Sequence, residues 1–188
     1  RRGLRMVTHA YNAMRGLHHR EPGVLGAAID LPELVPSVIA DGIHVHPAAL
    51  RLLLRAKGAA NVVAVTDAAW MVGLPPGTYH WGGREVQFDG KAPRLADGRL
   101  AGSGLTLDTA VANLVRLAKL DVDVALTMAT RTPARLLGLT PLGELSPGGP
   151  ADLVVFDADL QVIATFVSGR LVYLAPEAPP SLRTLSTD

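Results

Sequence analysis

Three short apolar runs constrain this chain more than anything else in it. One ends at Val7 and leads into Thr8-His9-Ala10-Tyr11-Asn12; the second, Val38-Ile39-Ala40, leads into Asp41-Gly42-Ile43-His44; the third, Val62-Val63-Ala64-Val65, leads into Thr66-Asp67. They are continuous rather than alternating, the pattern of strands covered on both faces of a parallel sheet. In parallel α/β folds, chemistry collects at the carboxyl ends of the strands. Here those ends would carry His9, His44 and Asp67, a combination that suits a metal-dependent hydrolase.

The alternation of strand and helix favours an α/β barrel or an open doubly wound sheet. Residues 47–57 read as a helix: Pro47 suits its first position, Leu50, Leu53 and Leu54 form an apolar stripe, and Gly58 follows its end. Arg51, Arg55 and Lys57 are expected on the remaining surface or near the negative helix end. Residues 23–36 are rich in Pro and Gly and carry no clear period. Residues 71–101 break the rhythm with Gly82-Gly83, Asp89-Gly90 and Asp97-Gly98 around β-prone pieces, which predicts one or two inserted hairpins. Helical spacing resumes over 105–120, and shorter helices are expected over 123–130 and from Thr132-Pro133 to about Gly138. Residues 151–157, 161–167 and 170–173 read as strands of a small β domain, too few to stand alone. The chain after Leu174 reads as a surface extension or a disordered end. Its opening, Arg1 to Arg5, reads as a helix end and a turn at Gly3, and suggests an absent upstream half.

Composition narrows the function. The 188 residues, 48% hydrophobic, can bury a sizeable core, and a net charge of +1 gives no reason to expect nucleic acid or a membrane surface as partner. The lack of cysteine excludes disulfides, thiolate metal sites and a cysteine nucleophile. No apolar run approaches the length of a membrane span and no leader-like segment opens the chain, so a cytoplasmic protein is expected.

Each candidate residue has a bland reading beside the chemical one. His9 at a strand end is a sound ligand for a divalent metal, zinc or iron, or a structural hydrogen-bonding group. Asp67 can take a proton from water and return it to a departing amine, or simply cap a turn. Asp41 before Gly42 can serve a site or stabilise a tight turn. Arg20 offers a planar fork for phosphate oxygens, or is a loop arginine paired with Glu21. His46 precedes a helix-starting proline and reads as a capping or surface group. His18 and His19 lie in a polar loop and could help bind phosphate, or are solvated loop residues, the commoner case. The Gly102-Ser103-Gly104 turn precedes a helix whose free amides could approach a ligand.

Five motifs together carry a resemblance. Thr8-His9-Ala10-Tyr11-Asn12-Ala13-Met14, Arg20-Glu21-Pro22-Gly23, Ala40-Asp41-Gly42-Ile43-His44, Val65-Thr66-Asp67-Ala68 and Leu100-Ala101-Gly102-Ser103-Gly104 resemble, in order, the N-acetylglucosamine-6-phosphate deacetylases of the amidohydrolase superfamily. Gly143-Glu144-Leu145 and Ala151-Asp152-Leu153 are similar to the return of such chains to a β-sandwich. The resemblance implies the C-terminal portion of a (β/α)8 barrel over residues 1–140, with the hairpin insertion at about 71–101. It implies β-sandwich strands over 141–174 and an extension over 175–188. It further implies a metal-dependent hydrolase that takes acetate from N-acetylglucosamine 6-phosphate, with His9 as a ligand of zinc or iron and Asp67 as the catalytic carboxylate. Substrate contacts would come from Asn12, Ala13, Arg20, Asp41, Gly42, Ile43, His44, Leu100, Ala101 and Gly102. A homodimer is implied too, since a loop like that of Arg20 can reach a neighbouring subunit's pocket. The family's other metal ligands, a glutamate and a histidine on earlier strands, have no counterpart in this chain. Two other readings stay open: an amidohydrolase acting on a cyclic amide or nucleobase, and a non-catalytic scaffold fragment.

Overall fold

The computed structural model describes residues 3–140 and 142–184. The expected α/β order is present. Strands β1 (Met6–Val7), β2 (Val35–Ile39) and β3 (Val63–Val65) form a parallel sheet in the order β1-β2-β3, with Val7 beside Pro36 and Ile39 beside Val65. The continuous apolar run of β2 is explained by burial on both sides: Val38, Ile39 and Ala40 are all fully buried. Val38 and Ala40 face one cluster, and Ile39 faces another with Leu105 and Ala110.

Helix α1 spans Gly23–Asp30 and α2 spans Pro47–Lys57. The bounds of α2 are those read from Pro47 and Gly58, and Leu50, Leu53 and Leu54 are buried as their spacing requires. His46 caps it, accepting the Ala48 N–H on Nδ1 at 3.2 Å. Lys57 lies in the last turn, near the negative helix end as expected, but is not on the surface. It is buried, and its Nζ donates to the Leu31 carbonyl at 2.6 Å, a hydrogen bond that makes burial of the ammonium tolerable. Arg51 likewise reaches inward, donating to the Leu117 carbonyl at 2.7 Å. The Pro- and Gly-rich stretch 23–36 holds α1, whose low-propensity glycines are overridden by packing of Leu25 and Ala28 in the interior.

Helices α3 (Leu107–Ala118), α4 (Val122–Ala129) and α5 (Arg131–Leu137) follow. Leu114 and Met128, both fully buried, join Leu25, Val38, Leu50 and Val62 in the main core. Each such side chain contributes roughly 1.5–3 kcal/mol by leaving water, and this core holds the strand ends in place.

Between β3 and α3 lies the expected insertion, a three-stranded antiparallel sheet of β4 (Gly77–Trp81), β5 (Arg84–Phe88) and β6 (Pro93–Leu95). The tail makes a third sheet, antiparallel, of β7 (Leu153–Phe156), β8 (Val162–Val167) and β9 (Arg170–Leu174). Among the described residues this is one layer of three strands. The stretch after Leu174 is not merely a surface extension: Ala175 and Ala178 are buried, and α6 covers Pro180–Arg183. The opening residues Arg1 and Arg2, Pro141, and the last four residues of the expected extension lie outside the described residues.

Candidate active site at three strand ends

The first strand end is a tight, strained turn. Beyond β1 the backbone of His9 (φ 34°), Tyr11 (φ 77°) and Ala13 (φ 52°) enters the left-handed region, uncommon for residues with a Cβ. Neighbours hold it there. The His9 N–H donates to Ser37 Oγ at 2.9 Å and the Ala10 N–H to the Ser37 carbonyl at 2.8 Å. The Tyr11 hydroxyl donates to the Ala49 carbonyl at 2.8 Å, and burial pushes its phenol pKa up. Asn12 closes the turn, its N–H on the His9 carbonyl and its amide nitrogen on the Ala10 carbonyl at 3.2 Å. Through this bracing, His9 Nδ1 is buried with no hydrogen-bond partner among the described residues.

The second end carries a buried acid–imidazole pair. Asp41 Oδ1 accepts the N–H groups of Ile43 and His44, each at 2.8 Å, and Oδ2 lies 2.6 Å from His44 Nδ1. Both side chains are nearly inaccessible, 6% and 5% exposed. Burial alone would raise the Asp41 pKa, but the hydrogen bonds from His44 Nδ1 and from the two backbone amides outweigh it and hold the carboxyl below its ordinary value. An ionised carboxylate only accepts, so His44 Nδ1 carries the proton and Nε2 is the ring atom left without a partner among the described residues. Asp41 thus stabilises the tight turn its sequence allowed, with Gly42 at φ 74° and Ile43 exposed beside it.

The third end repeats the strain of the first. Asp67 has φ 49° and an exposed side chain. Its carbonyl accepts the Ser103 N–H at 2.8 Å, and the Ala69 N–H returns to the Ser103 carbonyl at 2.9 Å. Ser103, fully buried, also donates from Oγ to the Thr66 carbonyl and accepts the Leu105 N–H at 3.1 Å. Gly102 passes so close that a Cβ there would sit 3.0 Å from the Asp67 carbonyl oxygen. Leu100, Ala101 and Gly102 therefore line one cleft with Asp67, about 590 Å³ in volume, which the β4–β5 hairpin also borders.

Strand order puts β2 between β1 and β3, and adjacent strands lie about 4.8 Å apart. His9, the Asp41–His44 pair and Asp67 thus occupy neighbouring ends of one sheet. Arg20 is not gathered in. It is exposed, its side chain makes no hydrogen bond or ion pair among the described residues, and Glu21 pairs with Arg15 at 2.8 Å instead. Ser37 and Ser103 were not singled out in the sequence for the roles they have. Ser37 lies within β2, just before the Val38-Ile39-Ala40 run, and Ser103 lies in the Gly102-Ser103-Gly104 turn; both are fully buried, and no local pattern marks either as a brace.

A divalent metal is the group such a site implies. An imidazole nitrogen that is buried and unpartnered fits one metal ligand. Among the described residues no group of three or more His, Asp or Glu side chains converges to complete a metal site.

Three parallel strands that end in polar turns give the layout of an α/β enzyme, and comparison with known proteins gives its class. The amidohydrolase family model matches residues 3–172. A putative N-acetylgalactosamine-6-phosphate deacetylase of Escherichia coli K12 is 44% identical over 164 residues, 87% of this chain and 98% of that protein. The N-acetylglucosamine-6-phosphate deacetylase of Vibrio furnissii is 40% identical over 178 residues, 94% of this chain and 44% of that protein. The crystal structure of the Thermotoga maritima N-acetylglucosamine-6-phosphate deacetylase superposes with a TM-score of 0.87 at 34% identity, over 92% of this chain and 48% of that one. The chain belongs to the amidohydrolase family, in the branch that holds these deacetylases. It spans less than half the length of the Vibrio and Thermotoga proteins and nearly all of the K12 one. Among the described residues no helix is long and apolar enough to cross a membrane.

Proposed function

We propose that this chain supplies the proton-transfer and substrate-reading half of a metal-dependent deacetylase acting on N-acetylglucosamine 6-phosphate. The observation that carries the reading is the convergence of His9, the Asp41–His44 pair and Asp67 on adjacent parallel strand ends, two of them on strained backbone. In this reading residues 1–140 are the last three β/α units of a (β/α)8 barrel and residues 141–174 contribute strands to a β-sandwich, with residues 175–188 trailing.

His9 would hold the metal, zinc or iron, together with ligands outside the described residues. When bound, that ion lowers the pKa of a water and polarises the acetamide carbonyl. Asp67 takes the attacking water's proton on its carboxylate and passes it to the nitrogen as the C–N bond breaks, releasing acetate and the free amine. His44 directs Nε2 at the acetamide or a sugar hydroxyl, held in that tautomer by Asp41. Asn12, the backbone at Ala13 and the exposed Arg20 read the phosphate end, with Arg20 free to serve a neighbouring copy in a homodimer. Leu100, Ala101 and Gly102 wall the sugar beside Asp67. The K12 relative favours a second reading, the C4-epimeric galactosamine substrate, and assaying both sugars separates the two.

The test joins this chain to the part of the Thermotoga maritima deacetylase that it does not span and measures acetate release with added zinc or iron. The joined protein should turn over, whereas the chain alone should stay near background, since one imidazole holds a metal weakly. Asp67→Asn should lower kcat roughly 10²–10⁴-fold with KM little changed. Turnover within a few-fold of wild type in that variant would refute Asp67 as the proton carrier.

A further inference from the structure

The inserted hairpin has an inner face that starts as core and ends in the open. Its strands β4 and β5 pair Gly77 with Phe88, Tyr79 with Val86 and Trp81 with Arg84, so these residues share one side of the sheet. Val86 and Phe88 are 1% and 5% exposed and pack with Ala69, Met71, Tyr79 and Ala101. Trp81, next on that face, is 46% exposed, and Arg84 opposite it is exposed and makes no hydrogen bond or ion pair among the described residues. The two-residue turn Gly82-Gly83 has φ 57° and 74°, the mirror-image hairpin turn that glycine accepts without strain, and it keeps Trp81 and Arg84 directly opposed. An indole and a guanidinium thus extend past the packed end of the hairpin, and both line the cleft that holds Asp67, Ala101 and Gly102.

Resting on the deacetylase reading above, we propose that the hairpin tip is a substrate-specificity element, with Trp81 and Arg84 binding the sugar ring of the amino sugar phosphate. A pyranose presents an apolar C–H face and a rim of hydroxyls. The first matches an open aromatic face and the second a five-donor fork that makes no hydrogen bond among the described residues, although the Asp97 carboxylate lies within its electrostatic reach. The cleft's continuity with Asp67 commits it to this occupant, because a sugar whose acetamide meets Asp67 has its ring within the same hollow. The inner face of the hairpin is anchored on Met71 and Ala101, so the tip is held over the cleft rather than swinging free.

The test uses the joined, metal-loaded protein described above. Trp81→Ala should raise KM for N-acetylglucosamine 6-phosphate about tenfold while kcat stays within about twofold, and Trp81→Phe should restore most of the loss. An unchanged KM in Trp81→Ala overturns the proposal. A second measurement covers a variant that folds poorly: in an Asp67→Asn, Trp70→Phe background, Trp81 is the chain's remaining tryptophan, and its emission in the isolated cleft should shift saturably as the sugar phosphate is added, compared with the same protein carrying Trp81→Phe. A flat difference titration overturns the proposal even if the wild-type protein deacetylates. Absence of turnover in the wild-type joined protein would instead count against the deacetylase reading, which keeps the two failures apart.

Discussion

Ser103→Ala tests whether the strain at Asp67 is held by its neighbour. The substitution keeps both backbone bonds between the segments, Ser103 N–H to the Asp67 carbonyl and Ala69 N–H to the Ser103 carbonyl. It removes the hydroxyl that satisfies the Thr66 carbonyl and the Leu105 N–H. Leu105 is 4% exposed and position 103 fully buried, so the orphaned N–H has no route to water, at a cost of about 1–3 kcal/mol. The Thr66 carbonyl sits in a half-buried residue that water can partly reach, which adds about 1 kcal/mol. The sum, roughly 2–4 kcal/mol, corresponds to a fall of about 3–5 °C in Tm for a protein about twice this chain's length, such as the joined one. Thermal unfolding of the joined protein measures it, and amide exchange at Leu105 should speed up locally. Turnover should fall more than KM rises, because Asp67 loses part of the clamp on its strained backbone. A destabilisation below about 0.5 kcal/mol, with Leu105 exchange unchanged, would refute the clamp.

Arg20→Ala should raise KM for the 6-phosphorylated sugar much more than for its unphosphorylated analogue, since a charge-assisted contact is lost only with phosphate present; equal effects on steady-state kinetics of the two substrates would remove Arg20 from phosphate recognition. Asp41 supplies a pH dependence. Its folded pKa is lowered, so the stability it contributes is complete above the ordinary aspartate value of about 3.9 and is lost as pH falls through the lower folded value. Asp41→Asn should flatten that acid limb in a denaturation series from neutral to acid pH, and ¹⁵N spectra should show the His44 ring no longer fixed with its proton on Nδ1. An acid limb of unchanged depth in the variant would assign it to other carboxylates.

Much of this protein was legible because the relevant signals are local. Pro47, the Leu50-Leu53-Leu54 stripe and Gly58 lie within one helix, and a helix is decided by contacts three and four residues apart. Gly82-Gly83 marks its turn by backbone sterics alone. The strand ends offered His9, His44 and Asp67 as candidates because a continuous apolar run followed by a polar residue is a property of neighbours in the chain. Helix α1 was not legible: Gly23 and Gly26 weaken the local preference, and only the burial of Leu25 and Ala28 against distant elements makes it helical. The inward Lys57 depends on the Leu31 carbonyl, 26 residues away. The bracing of the site depends on Ser37, 28 residues from His9, and on Ser103, 37 residues from Thr66. The left-handed backbone at His9 and Asp67 could not be read at all, since an isolated chain relaxes such angles unless packing and long-range hydrogen bonds hold them. Residue type and spacing determined which groups could do the chemistry; only the tertiary structure decided how they are aimed, because the bonds that aim them join segments that share nothing in sequence but proximity in the fold.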